Sequence, residues 1–247
     1  MMTRRKKGIL LGIVLIPLAG ILSIYWFFFT SPASLPGDDE MMDKINVTLP
    51  AAGAIEIQDA VLIDERNATV FFKSKTGTYG VSNWVWKKRK WRLAVVHTKG
   101  EPRIWKIEPG DPSTYRIIWN IDPKARLATL NFYLKKDRYY SISGDRHRYD
   151  PAIQMKKEML FEGHENGVMK LPDDWAYVME TLVEGGRNSG FSLFDDFVQQ
   201  PYLAFGWLPL DEQGEEKLPG NAVNGNSFHS IGTEEEHVPL LNKREVE

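Results

Sequence analysis

Hydrophobic residues follow two patterns along the chain, one continuous and one alternating. Residues 8–29 form an apolar run, and no charged residue occurs from Gly8 until Asp38. As an α-helix rising about 1.5 Å per residue, this run would be about 33 Å long, enough to cross a hydrocarbon core of about 30 Å. The continuous pattern therefore predicts a transmembrane helix at residues 8–30.

The charges beside this run predict its orientation. Residues 4–7 read Arg-Arg-Lys-Lys, whereas Asp38, Asp39 and Glu40 follow the run. Basic residues next to a first membrane segment stay in the cytoplasm, so residues 1–7 are predicted to be a cytoplasmic basic segment. The rest of the chain is then extracytoplasmic, on a single-pass signal-anchor in the cell membrane. A cleaved secretory signal is the alternative, but its apolar region usually has only about 7–15 residues.

Two glycines in the predicted span have the spacing of a helix-association motif. Gly8 and Gly12 form a G-x-x-x-G pair, which lets two membrane helices approach closely. Glycine is also common in membrane helices for other reasons, and Pro17 is expected to kink this one. Self-association of the anchor through Gly8 and Gly12 is therefore one interpretation of the pair.

From Ala54 onward the apolar residues alternate with polar ones, as they do in half-buried β-strands. The separators 108–112 (Glu-Pro-Gly-Asp-Pro) and 122–124 (Asp-Pro-Lys) are strong turn signals. Roughly seven short strands at this spacing predict a mainly β, or β-rich α+β, protein: an antiparallel meander that closes into a sandwich or small barrel. The later strands are expected at residues 103–107, 115–121, 127–134 and 138–143.

The clearest supersecondary prediction is a β-hairpin within residues 78–98. A turn at residues 87–90 pairs Trp86 with Trp91 and Trp84 with Leu93 across two strands. All four apolar side chains then project from one face. The predicted hairpin thus has an aromatic inner side and a cationic tip formed by Lys87, Lys88, Arg89 and Lys90.

Breaks in the pattern predict the domain boundaries. Residues 31–53 have little periodicity and are interpreted as a stalk, followed by a β-rich domain at residues 54–207. Within that domain, one short helix is expected to begin near Pro172 and end at Gly185 and Gly186, and a second is expected at residues 193–200. Residues 208–247 are acidic and rich in Gly and Asn, which predicts a largely flexible tail.

Composition narrows the class of protein. A hydrophobic content of 43% with eight tryptophans predicts a packed core, and the absence of cysteine excludes disulfides. An exported domain without cysteine fits a bacterial envelope protein. The net charge of −2 conceals an uneven distribution, with 16 Lys and Arg against 6 Asp and Glu in residues 84–148. Such a basic half favours an anionic partner, or it complements the acidic half that follows.

The sequence contains no motif of a known catalytic, cofactor or metal site. No G-x-S-x-G, S-x-x-K or glycine-rich phosphate loop occurs. The acidic pairs at Asp173 and Asp195 are more typical of helix starts than of glycoside chemistry. The histidines lack the H-x-x-x-H and H-x-H spacings that place two imidazoles on one ion. These histidines are His97, His147, His164, His229 and His237.

The cationic tip is the one constellation that suggests a function. Clustered Lys and Arg attract polyanions, and aromatic faces stack on rings, although the same pattern also describes a solvated turn over a packed core. Outside the membrane, an anionic wall polymer or lipid headgroups are more plausible ligands than nucleic acid. The sequence thus favours a non-enzymatic, membrane-anchored envelope protein that binds a partner protein or an anionic envelope component.

Two alternatives belong to other classes. One is a wall-acting hydrolase whose site is assembled from residues distant in sequence. The other is an accessory or sensor subunit of a membrane complex, which would need a membrane protein partner because residues 1–7 are too few to form a signalling domain.

Overall fold

A computed structural model describes residues 31–144, 146–161, 166–188 and 203–246, together with residues 17, 18 and 20. Among these residues, no helix has both the length and the apolar character needed to cross a membrane. The predicted span at residues 8–30 lies almost wholly outside the described residues, as do Gly8, Gly12 and the helix predicted at residues 193–200.

The first sheet begins as a meander of four antiparallel strands, as the alternating pattern predicts. We call it sheet I, and its strand order is β1-β2-β3-β4-β13. The strands are β1 (Ala54–Leu62), β2 (Asn67–Ser74), β3 (Tyr79–Lys87), β4 (Lys90–His97) and β13 (Ser227–His229).

The remaining strands form two further sheets and a separate hairpin. Sheet II has the order β11-β6-β5-β14, sheet III has the order β10-β7-β12, and β8 and β9 form a two-stranded sheet. Every named strand pair is antiparallel. The strands of sheet II are β5 (Gly100–Lys106), β6 (Arg116–Asn120), β11 (Asn166–Lys170) and β14 (Glu234–His237). The others are β7 (Thr129–Lys136), β8 (Tyr139–Ser143), β9 (Arg146–Asp150), β10 (Ile153–Leu160) and β12 (Ala204–Leu210).

The described residues therefore form a β-rich fold of antiparallel sheets with two α-helices, which confirms the coarse fold prediction. The predicted hairpin is confirmed in its register, because Trp86 lies opposite Trp91 and Trp84 lies opposite Leu93. On its inner side, Trp84 is fully inaccessible and Trp91 is 5% exposed, whereas Trp86 and Leu93 are half-buried.

Sheets I and II pack against each other through a small apolar cluster. Phe71 and Val81 of sheet I contact Trp105 and Ile118 of sheet II, and all four side chains are buried. This contact brings the inner faces of β2 to β4 and of β5 and β14 together, and it positions the polar side chains described below.

The predicted stalk is wrong for the part that the structure describes. Residues 38–48 form helix α1 (Asp38–Thr48), in which Met41 and Ile45 are buried against sheet I. This helix was not predicted from the sequence, because most residues of the segment are polar. Met41 and Ile45 nevertheless have the i, i+4 spacing of one helix face. Asn46 then fastens the helix to β1, because its side chain exchanges two hydrogen bonds with the backbone of Ala54.

Helix α2 (Asp173–Asn188) begins where Pro172 and the acidic pair predict. Its Trp175 and Ala176 are buried in the largest core, which also contains Trp119, Phe132 and Trp207 from sheets II and III. The helix is not C-terminal to the fold, because β12, β13 and β14 follow it.

The predicted flexible tail at residues 208–247 is also wrong for its described part. β13 pairs with β4, and β14 pairs with β5, so this segment supplies one edge strand to sheet I and one to sheet II. Val238 is 1% exposed in the largest core. Backbone pairing and a few buried side chains stabilise this segment. Composition, on which the prediction of a flexible tail was based, reports neither of them. The domain boundaries predicted at residues 54 and 207 accordingly fall inside one packed unit.

Candidate functional site

The cationic tip lies at the end of the β3–β4 hairpin, exposed to solvent. Lys87 and Lys90 are paired across the strands, which leaves a two-residue loop of Lys88 and Arg89. Both loop residues have positive φ angles, 54° and 61°. A tight loop of this kind holds four consecutive cationic residues, all of them exposed, at one end of the hairpin.

A cleft of about 380 Å³ opens beside the tip, between the hairpin and sheet II. Four cationic residues line it: Lys87, Lys88 and Arg92 from the hairpin, and Lys106 from β5. Among the described residues, Lys87 and Lys88 have no ion-pair partner. The apolar part of the lining consists of Val85, Leu93, Trp105, Ile107 and Ile231.

Lys106 contributes less free charge to the cleft than its position suggests. Its Nζ lies 2.7 Å from Glu236 Oε2 and 5.7 Å from the centre of the Tyr115 ring. Burial opposes the charged form and lowers the pKa of Lys106, but the hydrogen bond and Coulomb attraction of Glu236, with smaller contributions from Tyr115 and Glu234, raise it above its usual value. Lys106 is therefore a protonated wall of the cleft, partly neutralised by Glu236.

The tip end of the hairpin is joined to the segment that follows the predicted span. The indole Nε1 of Trp91 donates a hydrogen bond of 2.8 Å to the carbonyl oxygen of Ala33. Trp91 also contacts Trp86 edge to face, with 5.8 Å between ring centres. Residues that were predicted to be a free stalk thus lie against the hairpin.

A second constellation lies between sheets I and II, where seven polar or charged side chains converge. We call it the polar cluster. Thr69, Asn83, His97 and His229 come from four strands of sheet I, whereas Glu101, Arg103 and Glu235 come from β5 and β14 of sheet II.

Glu235 is the centre of the polar cluster, with a side chain that is only 2% exposed. Its Oε2 lies 2.6 Å from His97 Nε2 and 4.0 Å from His229 Nδ1. Its Oε1 accepts a hydrogen bond of 2.6 Å from Asn83 Nδ2, and Asn83 Oδ1 accepts one of 2.9 Å from Thr69 Oγ1. The carboxylate is therefore held in one orientation by a chain of hydrogen bonds across three strands.

The electrostatics of the polar cluster favour a neutral imidazole at its edge. Burial lowers the pKa of His229, and the nearby His97 and Arg103 lower it further, whereas Glu235 works in the opposite direction. Arg103 forms an ion pair with the buried Glu101, and its Nε has no hydrogen-bond partner among the described residues.

Sequence reasoning found the cationic tip but not the polar cluster. Positions 97, 229 and 235 have no metal-ligand spacing. The pairing of β13 with β4 brings the two histidines together, and the packing of sheet II on sheet I adds Glu235. The available signal was the pattern H-x₅-E-x-H at residues 229–237, where alternation places Glu235 and His237 on one face of a strand. That signal lay in the segment interpreted as a flexible tail.

Together, the fold and these two constellations define the class of the protein: a β-rich protein of antiparallel sheets with an exposed cationic hairpin. In comparisons with known proteins, no family model, no curated protein and no solved structure matches the chain.

Proposed function

We propose that this is a non-enzymatic protein of the bacterial envelope, anchored by residues 8–30 with its main domain outside the cytoplasm. In this proposal the cationic tip binds the anionic headgroups of the membrane that holds the anchor. The observation that carries the proposal is the geometry of the hairpin, which holds four consecutive exposed cations in and beside a two-residue loop. The cleft next to this loop is lined by four cationic residues and one acidic residue, Glu234.

The Trp91–Ala33 hydrogen bond supports lipid headgroups over a more distant wall polymer. If the span ends at residue 30, three extended residues place Ala33 within about 11 Å of it. Lys88 lies three residues from Trp91, through the turn, which is at most a further distance of about 11 Å along the chain. The tip is thus tethered close to the bilayer, and a cation near an anionic surface contributes about 1 kcal/mol.

The test uses the absence of cysteine in the chain, which allows one dye to be attached at a chosen position. The full chain carrying Arg89→Cys is labelled and placed in nanodiscs whose lipids carry a headgroup quencher. We expect strong quenching with anionic phosphatidylglycerol present, weak quenching in phosphatidylcholine alone, and loss of the difference as salt rises. Exposed charges are screened within about 8 Å at physiological ionic strength.

Two triple variants of the labelled protein separate the tip from general charge. Replacing Lys87, Lys88 and Lys90 with Gln should remove the lipid-dependent quenching. Replacing Lys124, Lys156 and Lys157 with Gln removes the same three charges from exposed positions elsewhere and should preserve it. Equal quenching in both variants would overturn the proposal. Binding to isolated wall polymer, without any dependence on anionic lipid, would exclude the lipid assignment.

A further inference from the structure

Three side chains of the polar cluster form a constellation that the cationic tip does not use. The ligand atoms of His97, His229 and Glu235 all lie within 4.8 Å of one another. None of the three residues lines the cleft beside the tip. Two imidazole nitrogens and one carboxylate oxygen are a ligand set that Zn²⁺ binds in proteins, with a fourth position left open.

The charge of the polar cluster also favours an additional cation. Glu101 and Glu235 have buried side chains, and Arg103 is the one permanently charged cation of the cluster. Arg103 is paired with Glu101, so among the described residues no permanently charged cation is paired with Glu235. An uncompensated buried charge is costly, so a cation bound against Glu235 stabilises the folded state.

The surroundings of Glu235 resemble the outer shell of a metal site. Metal-binding carboxylates are themselves oriented by hydrogen bonds from neighbouring residues. Asn83 donates to the carboxylate oxygen of Glu235 that faces away from His97, and Thr69 fixes the orientation of Asn83. This arrangement leaves Oε2 directed toward both histidines.

We propose that His97 Nε2, His229 Nδ1 and Glu235 Oε2 form a three-ligand site for one divalent transition-metal ion of the Zn²⁺ class. Ligand atoms around tetrahedral Zn²⁺ are about 3.3 Å apart. Binding therefore lengthens the 2.6 Å contact of His97 with Glu235 and shortens the 4.0 Å separation of His229 from Glu235. The His229 side chain is 39% exposed, which places the open fourth position on the solvent side.

Such an ion would join three strands from two sheets. His97 lies on β4, His229 on β13 and Glu235 on β14, so the ion connects the sheet I edge strand to the sheet II edge strand. It would also fix the turn at residues 230–233 that links them.

The site can be tested on the full chain in detergent after removal of metals with a chelator. Titration with Zn²⁺ should give one ion per chain by calorimetry, and Co²⁺ should produce the visible absorption of a tetrahedral complex. Asn83→Ala, which removes an orienting hydrogen bond, should weaken binding by about 10–100-fold.

His229→Gln tests the ligand set without removing a buried side chain. It should weaken Zn²⁺ binding by at least about 100-fold and abolish the Co²⁺ spectrum, while circular dichroism stays unchanged. His147→Gln is the matched control, because His147 is exposed on β9 and contacts Tyr140 instead. Failure of the wild-type chain to bind either ion, or equal binding by wild type and His229→Gln, would overturn the site. Neither result bears on the cationic tip.

Discussion

At the residue scale, Asn120 is confined on two sides, by Gly80 of sheet I and by Gly100 of the neighbouring strand β5. Asn120 is fully buried on β6, and its Nδ2 donates a hydrogen bond of 2.8 Å to Gly80 O of sheet I. On the other side, a Cβ at Gly100 would lie 1.8 Å from Asn120 O. Position 100 therefore accommodates only glycine without movement of the backbone.

Gly100→Ala should destabilise the protein by about 1–3 kcal/mol or more, because an added methyl group has no space beside β6. The free energy of unfolding, measured with urea, reports this loss. Gly110→Ala is the control, since a Cβ there meets nothing within 4 Å. We expect the control to change stability by less than about 1 kcal/mol. Similar values for the two variants would contradict the packing described for Asn120.

The sequence predicted some of these residue environments and not others. Alternation was sufficient to place Trp84 and Trp91 on the buried face, because side-chain direction follows directly from the strand period. Nothing local marks Asn120 as buried or Gly100 as indispensable. The burial of Asn120 depends on a contact between sheets I and II. The need for glycine at position 100 depends on the pairing of β5 with β6.

At the element scale, the β3–β4 hairpin has an unusual turn sequence. Two positive φ angles define the turn type that favours Asn-Gly, yet the loop contains Lys88 and Arg89. A side chain in the left-handed region costs roughly 1–2 kcal/mol. Strained positions are often retained for function, which agrees with the binding role proposed for the cationic tip.

The double variant Lys88→Asn with Arg89→Gly should raise the free energy of unfolding by about 1 kcal/mol, because both replacements tolerate positive φ. Its control, Lys87→Asn with Lys90→Gly, removes the same two charges from positions that do not need positive φ. The control should bring no stabilisation. Equal stabilities would show that the turn geometry is not strained.

The elements also show where pattern reading fails. The hairpin was predictable because its two strands are adjacent in sequence and carry a strong aromatic alternation. β13 and β14 were not, since both are short edge strands whose partners lie more than a hundred residues earlier, and β14 is also acidic. The polar cluster depends on these two strands, so it was missed with them.

At the scale of the whole molecule, the segment after β12 is an integral part of the core. After β14 the chain runs beside β12, where Trp207 N donates to Pro239 O at 3.0 Å and Leu241 N donates to Trp207 O at 2.8 Å. Val238 is buried between these contacts in the largest core.

Val238→Ala should therefore lower the free energy of unfolding by about 1–3 kcal/mol, the effect of removing buried apolar groups. The control is Val47→Ala, because Val47 is 78% exposed on α1. Its effect should stay within about 0.5 kcal/mol. Thermal or urea unfolding of the two variants compares them directly. If Val238→Ala leaves the free energy of unfolding unchanged, the interpretation of this segment as a flexible tail would be restored.

The late position of β13 and β14 in the chain has a consequence for biosynthesis. When a ribosome has produced the first twelve strands, sheet I still has β4 as an unpaired edge, and sheet II still has β5 as one. Open edges of this kind attract strands from other molecules. The pairing of His97 with Glu235, 138 positions apart, must also await the last strands. Chains interrupted before β13 are thus expected to aggregate or to be recognised by quality-control proteases. Because β13 and β14 come late in the chain, only a finished domain has both sheet edges covered.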